Sequence, residues 1–287
     1  MKPKTIKHIT ASKFVKMGDI DLRQPIPTHS IKNVDPFILL HHYGPYKIDA
    51  NSNPFDLGPH PHRGFEPITF LFQGEQLHRD SLGNNEVVKA GDVQWTTAGK
   101  GIVHAEGPTK AFVEKGGTLE GIQLWLNLPA SKKMINPNYQ VAKNESMPFV
   151  LSGDGLVKTK IVAGQLLNTT GNIETQTEVN AFMIEAKENG SYTFNIPENH
   201  NTVLYLISGK ITVLNHVLEQ DKSQFIQFNT DGNTIQLKAL QNSQLLLLSG
   251  EPIHEKIATY GPFVMNTQSE LINAMNDYQN GKMGTLS

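Results

Sequence analysis

The chain contains no cysteine. Disulfides, thiolate ligands and a cysteine nucleophile are therefore ruled out, which fits a reducing compartment. Long apolar runs are missing too: no segment approaches the roughly 20 apolar residues that a spanning helix needs. The first residues, Met1-Lys2-Pro3-Lys4-Thr5-Ile6-Lys7, lack the apolar stretch of a secretory signal. Nor does one charge dominate, since 25 Lys and Arg face 27 Asp and Glu, a formal net of -2. Without a basic stripe to track phosphates, direct nucleic-acid binding is not expected. These absences leave a cytoplasmic globular protein with no membrane partner. Its 287 residues are enough for one or two domains with cores of their own.

What is present is mostly strand signal, punctuated by Gly, Pro, Asn and Asp. Ile68-Thr69-Phe70-Leu71-Phe72 runs into Gly74, Val93-Gln94-Trp95-Thr96 follows Gly91-Asp92, and Gly121-Ile122-Gln123-Leu124-Trp125-Leu126 precedes Pro129. Many short strands at such spacing predict a barrel or sandwich. A repeat is also visible. Thr69-Phe70-Leu71-Phe72-Gln73-Gly74-Glu75 parallels Leu204-Tyr205-Leu206-Ile207-Ser208-Gly209-Lys210, with the two glycines 209 − 74 = 135 residues apart. Two sequential β-barrels follow, residues 1–135 and 136–287, joined through the Lys-, Asn-, Gly- and Pro-rich stretch 130–160. Thr267-Gln268-Ser269-Glu270 has capping-box form, with Leu271, Met275 and Tyr278 at helical spacing before Gly281. A short C-terminal helix packed on a barrel is expected.

Chemistry concentrates in two short pairs, His60-Pro61-His62 and His104-Ala105-Glu106. In a strand, residues i and i+2 project from the same face, so each pair can aim both side chains at one point inside a barrel. Three imidazoles and a carboxylate suit a divalent first-row metal with positions left for substrate or dioxygen. His41-His42, as neighbours, should point to opposite faces. His78 lies beside Arg79 and Asp80, where a hydrogen-bonded histidine is expected rather than a pocket-lining one. Trp95 and Trp125 sit in alternating strands and read as core. Gly99, Gly101 and Gly107 have neither the following helix nor the Lys-Ser pair of a phosphate loop.

The order of these pieces, a His-x-His strand, a glycine-led strand, a turn and a third histidine, resembles the two cupin motifs. Longer blocks narrow the match. Pro59 to Glu66, His78-Arg79-Asp80-Ser81-Leu82-Gly83, Gly91-Asp92-Val93-Gln94-Trp95, Ala98 to His104 and Gly261 to Thr267 resemble the signature blocks of the pirin family. The resemblance runs from about Asp35 to Gly284.

It implies an all-β fold of two sequential cupin (jelly-roll) barrels, with iron in the N-terminal one alone. It also implies the metal ligands His60, His62, His104 and Glu106, whereas Glu66, the position many other cupins use as a ligand, becomes a supporting residue. His41 stands where the family more often has an acidic residue. Counting back from Gly209, as His60 and His62 stand from Gly74, lands on Asn195 and Pro197. The second barrel therefore cannot assemble this set, and one metal per chain is expected: Fe(II), with Mn, Co, Ni, Cu or Zn chemically admissible.

The activity implied is that of a quercetin 2,3-dioxygenase-like enzyme, acting on a flavonol or related ortho-oxygenated aromatic with dioxygen, Glu106 serving as both ligand and proton acceptor. The alternative is an iron-binding, redox-responsive regulator that works through protein partners. A monomer is implied in either case.

Overall fold

In the computed structural model, which describes residues 1–17, 20–222 and 224–286, the two repeated runs become the strands Phe65–Gln73 and Asn201–Ser208. Each ends at a glycine in the left-handed region, φ 87° at Gly74 and 91° at Gly209. Glycine reaches this conformation without the steric cost a Cβ imposes. The chain then turns into Glu75–Asp80 or Lys210–Val213. The repeat read from sequence is thus also a repeat of backbone geometry.

Two units result, each with one seven-stranded and one four-stranded sheet. In the unit that carries the histidine pairs, the smaller sheet runs Leu57–His62, Ile102–Pro108, Glu75–Asp80, Asn85–Lys89. The larger sheet has Phe65–Gln73 and Gly117–Asn127 at its centre, and Leu71, Ile122 and Leu124 on them are fully or almost fully buried. The other unit repeats this arrangement: Ser191–Asn195 pairs with Thr234–Ala239 as Leu57–His62 pairs with Ile102–Pro108. Its interior is filled by an apolar cluster that includes Phe194, Leu204, Ile235 and Leu237. Both units are the jelly-roll barrels expected.

A cut at 135/136 does not describe how the chain divides. Met1–Lys13 and Pro25–Pro36 belong with Glu145–Pro252, whereas Ile253–Ser287 belongs with Phe37–Asn144. Strand pairing explains the first exchange: Ile6–Thr10 lies antiparallel to Phe225–Phe228, with Ile6 opposite Phe228 and Thr10 opposite Phe225. The second exchange has a hydrophobic cause. The C-terminal helix, Gln268–Gln279, starts at the expected capping box, with Thr267 and Glu270 bonded reciprocally. It buries Leu271 and Ala274 in a cluster with Val103, Phe263 and Met265. Tyr278, expected on that buried face, is 38% exposed, and Ala274 takes its place. Among the described residues no helix is long and apolar enough to cross a membrane.

Backbone contact ties the C-terminal segment to the histidine strand. Arg63 forms a bridge with Phe263, and Val264 N–H donates to Arg63 O at 3.0 Å. The buried Lys133 ammonium donates to Gly64 O, Asn127 Oδ1 and Val264 O at 2.7, 2.7 and 3.1 Å, and burial brings its pKa down to about 8. Gly64 sits at φ +85°, and a Cβ there would lie 2.0 Å from Val264 O. Neither the angle nor the space admits a side chain. Gly64→Ala is expected to cost roughly 2–4 kcal/mol. A urea unfolding midpoint unchanged from wild type would contradict this account.

Candidate metal centre

Strand register brings the site together. His104 lies opposite His60 in the Ile102–Pro108/Leu57–His62 pair, and Ile102 lies opposite His62. On the other side of the same strand, His104 lies opposite Asp80 and Glu106 opposite His78. Three neighbouring strands therefore each contribute an i, i+2 pair of polar side chains, as the two-residue period of a strand requires.

His60, His62 and His104 converge, with one ring nitrogen from each inside a 4.8 Å set. Their ring centroids are 4.4–4.9 Å apart. His60 Nδ1 donates to Gly58 O at 2.8 Å. A carbonyl can only accept, so that contact puts the proton on Nδ1 and turns the Nε2 lone pair inward. His62 is oriented the same way, Nδ1 facing Pro262 O at 3.4 Å, and its Nε2 is buried with no hydrogen-bond partner. His104 Nε2 comes within 2.9 Å of His60 Nε2. Burial, then the neighbouring imidazoles, holds the pKa of His62 and of His104 well below the usual histidine value. Both are neutral near pH 7, the form that ligates a metal. A buried nitrogen without a protein partner, as His62 Nε2 is, is costly unless something occupies the space it faces. The donor set fits a divalent metal.

Glu106 stands slightly apart. Its Oε1 is 3.9 Å from Nδ1 of His104 and 3.9 Å from Nδ1 of His78, and it groups with those two residues rather than with His60 and His62. Burial raises its pKa, but the interaction with His78 and the other nearby imidazoles outweighs burial, so it lies below the ordinary value and the group is a carboxylate. Gln94 Nε2 donates to Glu106 Oε1 and lies 3.1 Å from Thr69 Oγ1. His78 donates from Nε2 to Asp80 Oδ2 at 2.9 Å, the hydrogen bond expected, and its ring stacks on Tyr139 at 4.1 Å and 9°. Unlike the other three histidines, His60 is partly exposed, so it marks the accessible side of the cluster.

Other expected placements vary. Trp95 is core, 1% exposed. Trp125 is only half-buried, 4.4 Å from Phe65 and 5.7 Å from His62. His42 is buried against Glu120, at 3.2 Å, whereas His41 bonds Gln24 at 2.6 Å and lines a cavity of about 30 Å³ beside Glu106 with Tyr43, Gln76 and Gln123. Gln94 and Tyr139 are site residues that the sequence reading missed. Gln94 could have been found: it is an amide between Val93 and Trp95 in a strand too apolar to present a solvated face. The Gly58 and Pro262 carbonyls leave no side-chain signal.

The chain is similar to known proteins along most of its length. The family model described as Pirin matches residues 19–126, and the one described as Pirin C-terminal cupin domain matches residues 181–284. A Pseudomonas aeruginosa protein named "putative quercetin 2,3-dioxygenase" is 35% identical over 251 residues, covering 88% of this chain and 87% of its own. Human pirin is 32% identical over 271 residues, 92% of this chain and 88% of its own. A crystal structure titled quercetin 2,3-dioxygenase, from Acinetobacter baumannii, superposes with a TM-score of 0.92 at 31% identity, and each chain is covered completely.

Glu66 lies outside both three-residue groups that can hold a metal among the described residues. It is fully buried, and its Oε1 accepts from Thr97 Oγ1 at 2.6 Å. Burial pushes its pKa from 4.5 up to about 7, against the hydrogen bonds from Thr97 and Trp95. As pH rises from about 4.5 to 7, the unfolded chain gives up this proton before the folded one does. Stability must therefore fall over that window, by on the order of 3 kcal/mol. Glu66→Gln is expected to remove this slope, so that its stability relative to wild type climbs between pH 4.5 and 7 and levels off above. Parallel pH–stability curves for the two proteins would contradict the assignment.

Proposed function

Because the chain belongs to the pirin family, we propose that its N-terminal barrel holds one divalent metal, Fe(II), and that the loaded protein is a dioxygenase. The substrate class is a flavonol or a related ortho-oxygenated aromatic. The observation that carries the reading is the convergence of the His60, His62 and His104 ring nitrogens, with His62 Nε2 buried and unpaired. The names of the Pseudomonas and Acinetobacter proteins support the activity.

His60, His62, His104 and Glu106 would hold the metal, which supplies Lewis-acid and template chemistry when bound. The remaining steps belong to the protein. Gly58 O and Pro262 O fix the rings of His60 and His62 so that their Nε2 atoms face the site. Glu106, ionised and buried, accepts the proton of a substrate hydroxyl at one of its oxygens, while Gln94 Nε2 keeps the carboxylate in place. The space beside Glu106, about 30 Å³, has room for a species the size of water. A flavonol would therefore approach from the side of His60, the partly exposed histidine of the cluster.

His62→Ala is expected to lower oxygen uptake with quercetin by roughly 100-fold or more, removing a ligand and leaving Glu106 without its role. Wild type, by elemental analysis, should carry about one metal per chain. An oxygen-electrode trace for the variant that matches wild type would sink the dioxygenase reading.

A further inference from the structure

The polar interior of this barrel holds more donors than one metal position uses. His78 Nδ1 and His104 Nδ1 are both buried without a hydrogen-bond partner. Each is 3.9 Å from Glu106 Oε1, and donor atoms of these three residues lie within 4.8 Å of one another. His104 thus has one nitrogen, Nε2, facing His60 at 2.9 Å, and the other facing Glu106.

His78 is built as a ligand is built. Its Nε2–H is committed to Asp80 Oδ2, which leaves Nδ1 turned inward. Asp80 is itself fixed: Oδ1 accepts from Leu82 N–H and Asn84 N–H at 2.9 and 3.1 Å, and Oδ2 also accepts from Asn84 Nδ2 at 2.8 Å. The stack of the His78 ring on Tyr139 sets its plane. A carboxylate behind a histidine, fixing its tautomer and rotation, is the usual support of a metal ligand. A metal about 2.1 Å from each donor places neighbouring donors roughly 3.0–3.4 Å apart, so each 3.9 Å separation from Glu106 Oε1 would close by about 0.5–0.9 Å.

We infer that His78, His104 and Glu106 form a second, overlapping metal position, which a single ion can take in place of the His60, His62 and His104 position. The inference rests on the metal-binding reading above. It makes His78 a ligand residue in its own right. Glu106 then belongs to whichever position the ion occupies, in keeping with its place beside His78.

Cobalt(II) is the probe, titrated anaerobically into the metal-free chain and followed by calorimetry and by its visible absorption, which reports the ligand set. Wild type is expected to bind one equivalent. His62→Ala should still bind one, at least ~10-fold more weakly and with a changed cobalt spectrum. His62→Ala combined with His78→Gln should bind none. Glutamine can still reach Asp80 with its amide but offers no imidazole nitrogen, and thermal unfolding of the metal-free variants checks that each is folded. Should cobalt binding by His62→Ala be absent, or be the same with and without His78→Gln, the second position is overturned while the first stands. Should wild type bind no cobalt, both readings fall.

Discussion

A protein interior tolerates a polar atom only when that atom has a partner, and this constraint governs the N-terminal barrel. Imidazole nitrogens and a carboxylate are placed where strand geometry alone would put apolar side chains. An unpaired buried polar group costs about 1–3 kcal/mol, so His62 Nε2, His78 Nδ1 and His104 Nδ1 together set a cost that the rest of the unit must offset. The surroundings do so in two ways. Hydrogen bonds to Gly58 O, Pro262 O and Asp80 satisfy the outward nitrogens of His60, His62 and His78. A metal held between the inward ones would satisfy them and would link binding to stability, since any ion that binds the folded state alone adds to its stability by mass action.

The C-terminal barrel shows what the same frame looks like without that demand. Its Ser191–Asn195 and Thr234–Ala239 strands occupy the places of Leu57–His62 and Ile102–Pro108. There Phe194 meets Ile235 in register, and both are fully buried. A continuous apolar cluster through Val157, Phe182, Leu206 and Leu245 fills the interior. Such a core is stabilised by area burial alone, at about 25 cal/mol per Å². One barrel has a polar interior while its repeat is packed with apolar side chains. The two repeats keep the same left-handed glycine turn, at Gly74 and at Gly209.

Much of this was legible in the sequence, for identifiable reasons. The two-residue period of strands made His60/His62 and His104/Glu106 readable as pairs with a common direction, and glycines in matching places exposed the repeat. The boundary between units was not legible, because the exchange of chain ends depends on Ile6–Thr10 finding Phe225–Phe228 more than 200 residues away. No local pattern encodes such a pairing. The grouping of Glu106 with His78 was hidden for a similar reason: it follows from the register of Ile102–Pro108 against Glu75–Asp80, and register is fixed by the whole sheet. Tyr278 was misassigned because helical spacing alone does not say how far the buried stripe extends; the stripe ends at Ala274 and Met275.

The exchanged C-terminal segment also answers why residues so distant in sequence belong to the unit with the histidine cluster. Pro262 O orients His62 across 200 positions, and Phe263 and Val264 pair with Arg63, the residue that follows His62. Arg63 in turn donates to Lys100 O at 2.6 Å and to Asp277 Oδ2 at 2.9 Å on the C-terminal helix. Lys133 closes the same junction from a third direction. The geometry of the histidine cluster therefore depends on contacts from stretches of chain that contribute no residue to it. None of those contacts uses an inward-facing nitrogen. Loosening them would let the His62 ring rotate, and an imidazole free to turn holds a metal only by giving up the ordering that the fold has already supplied.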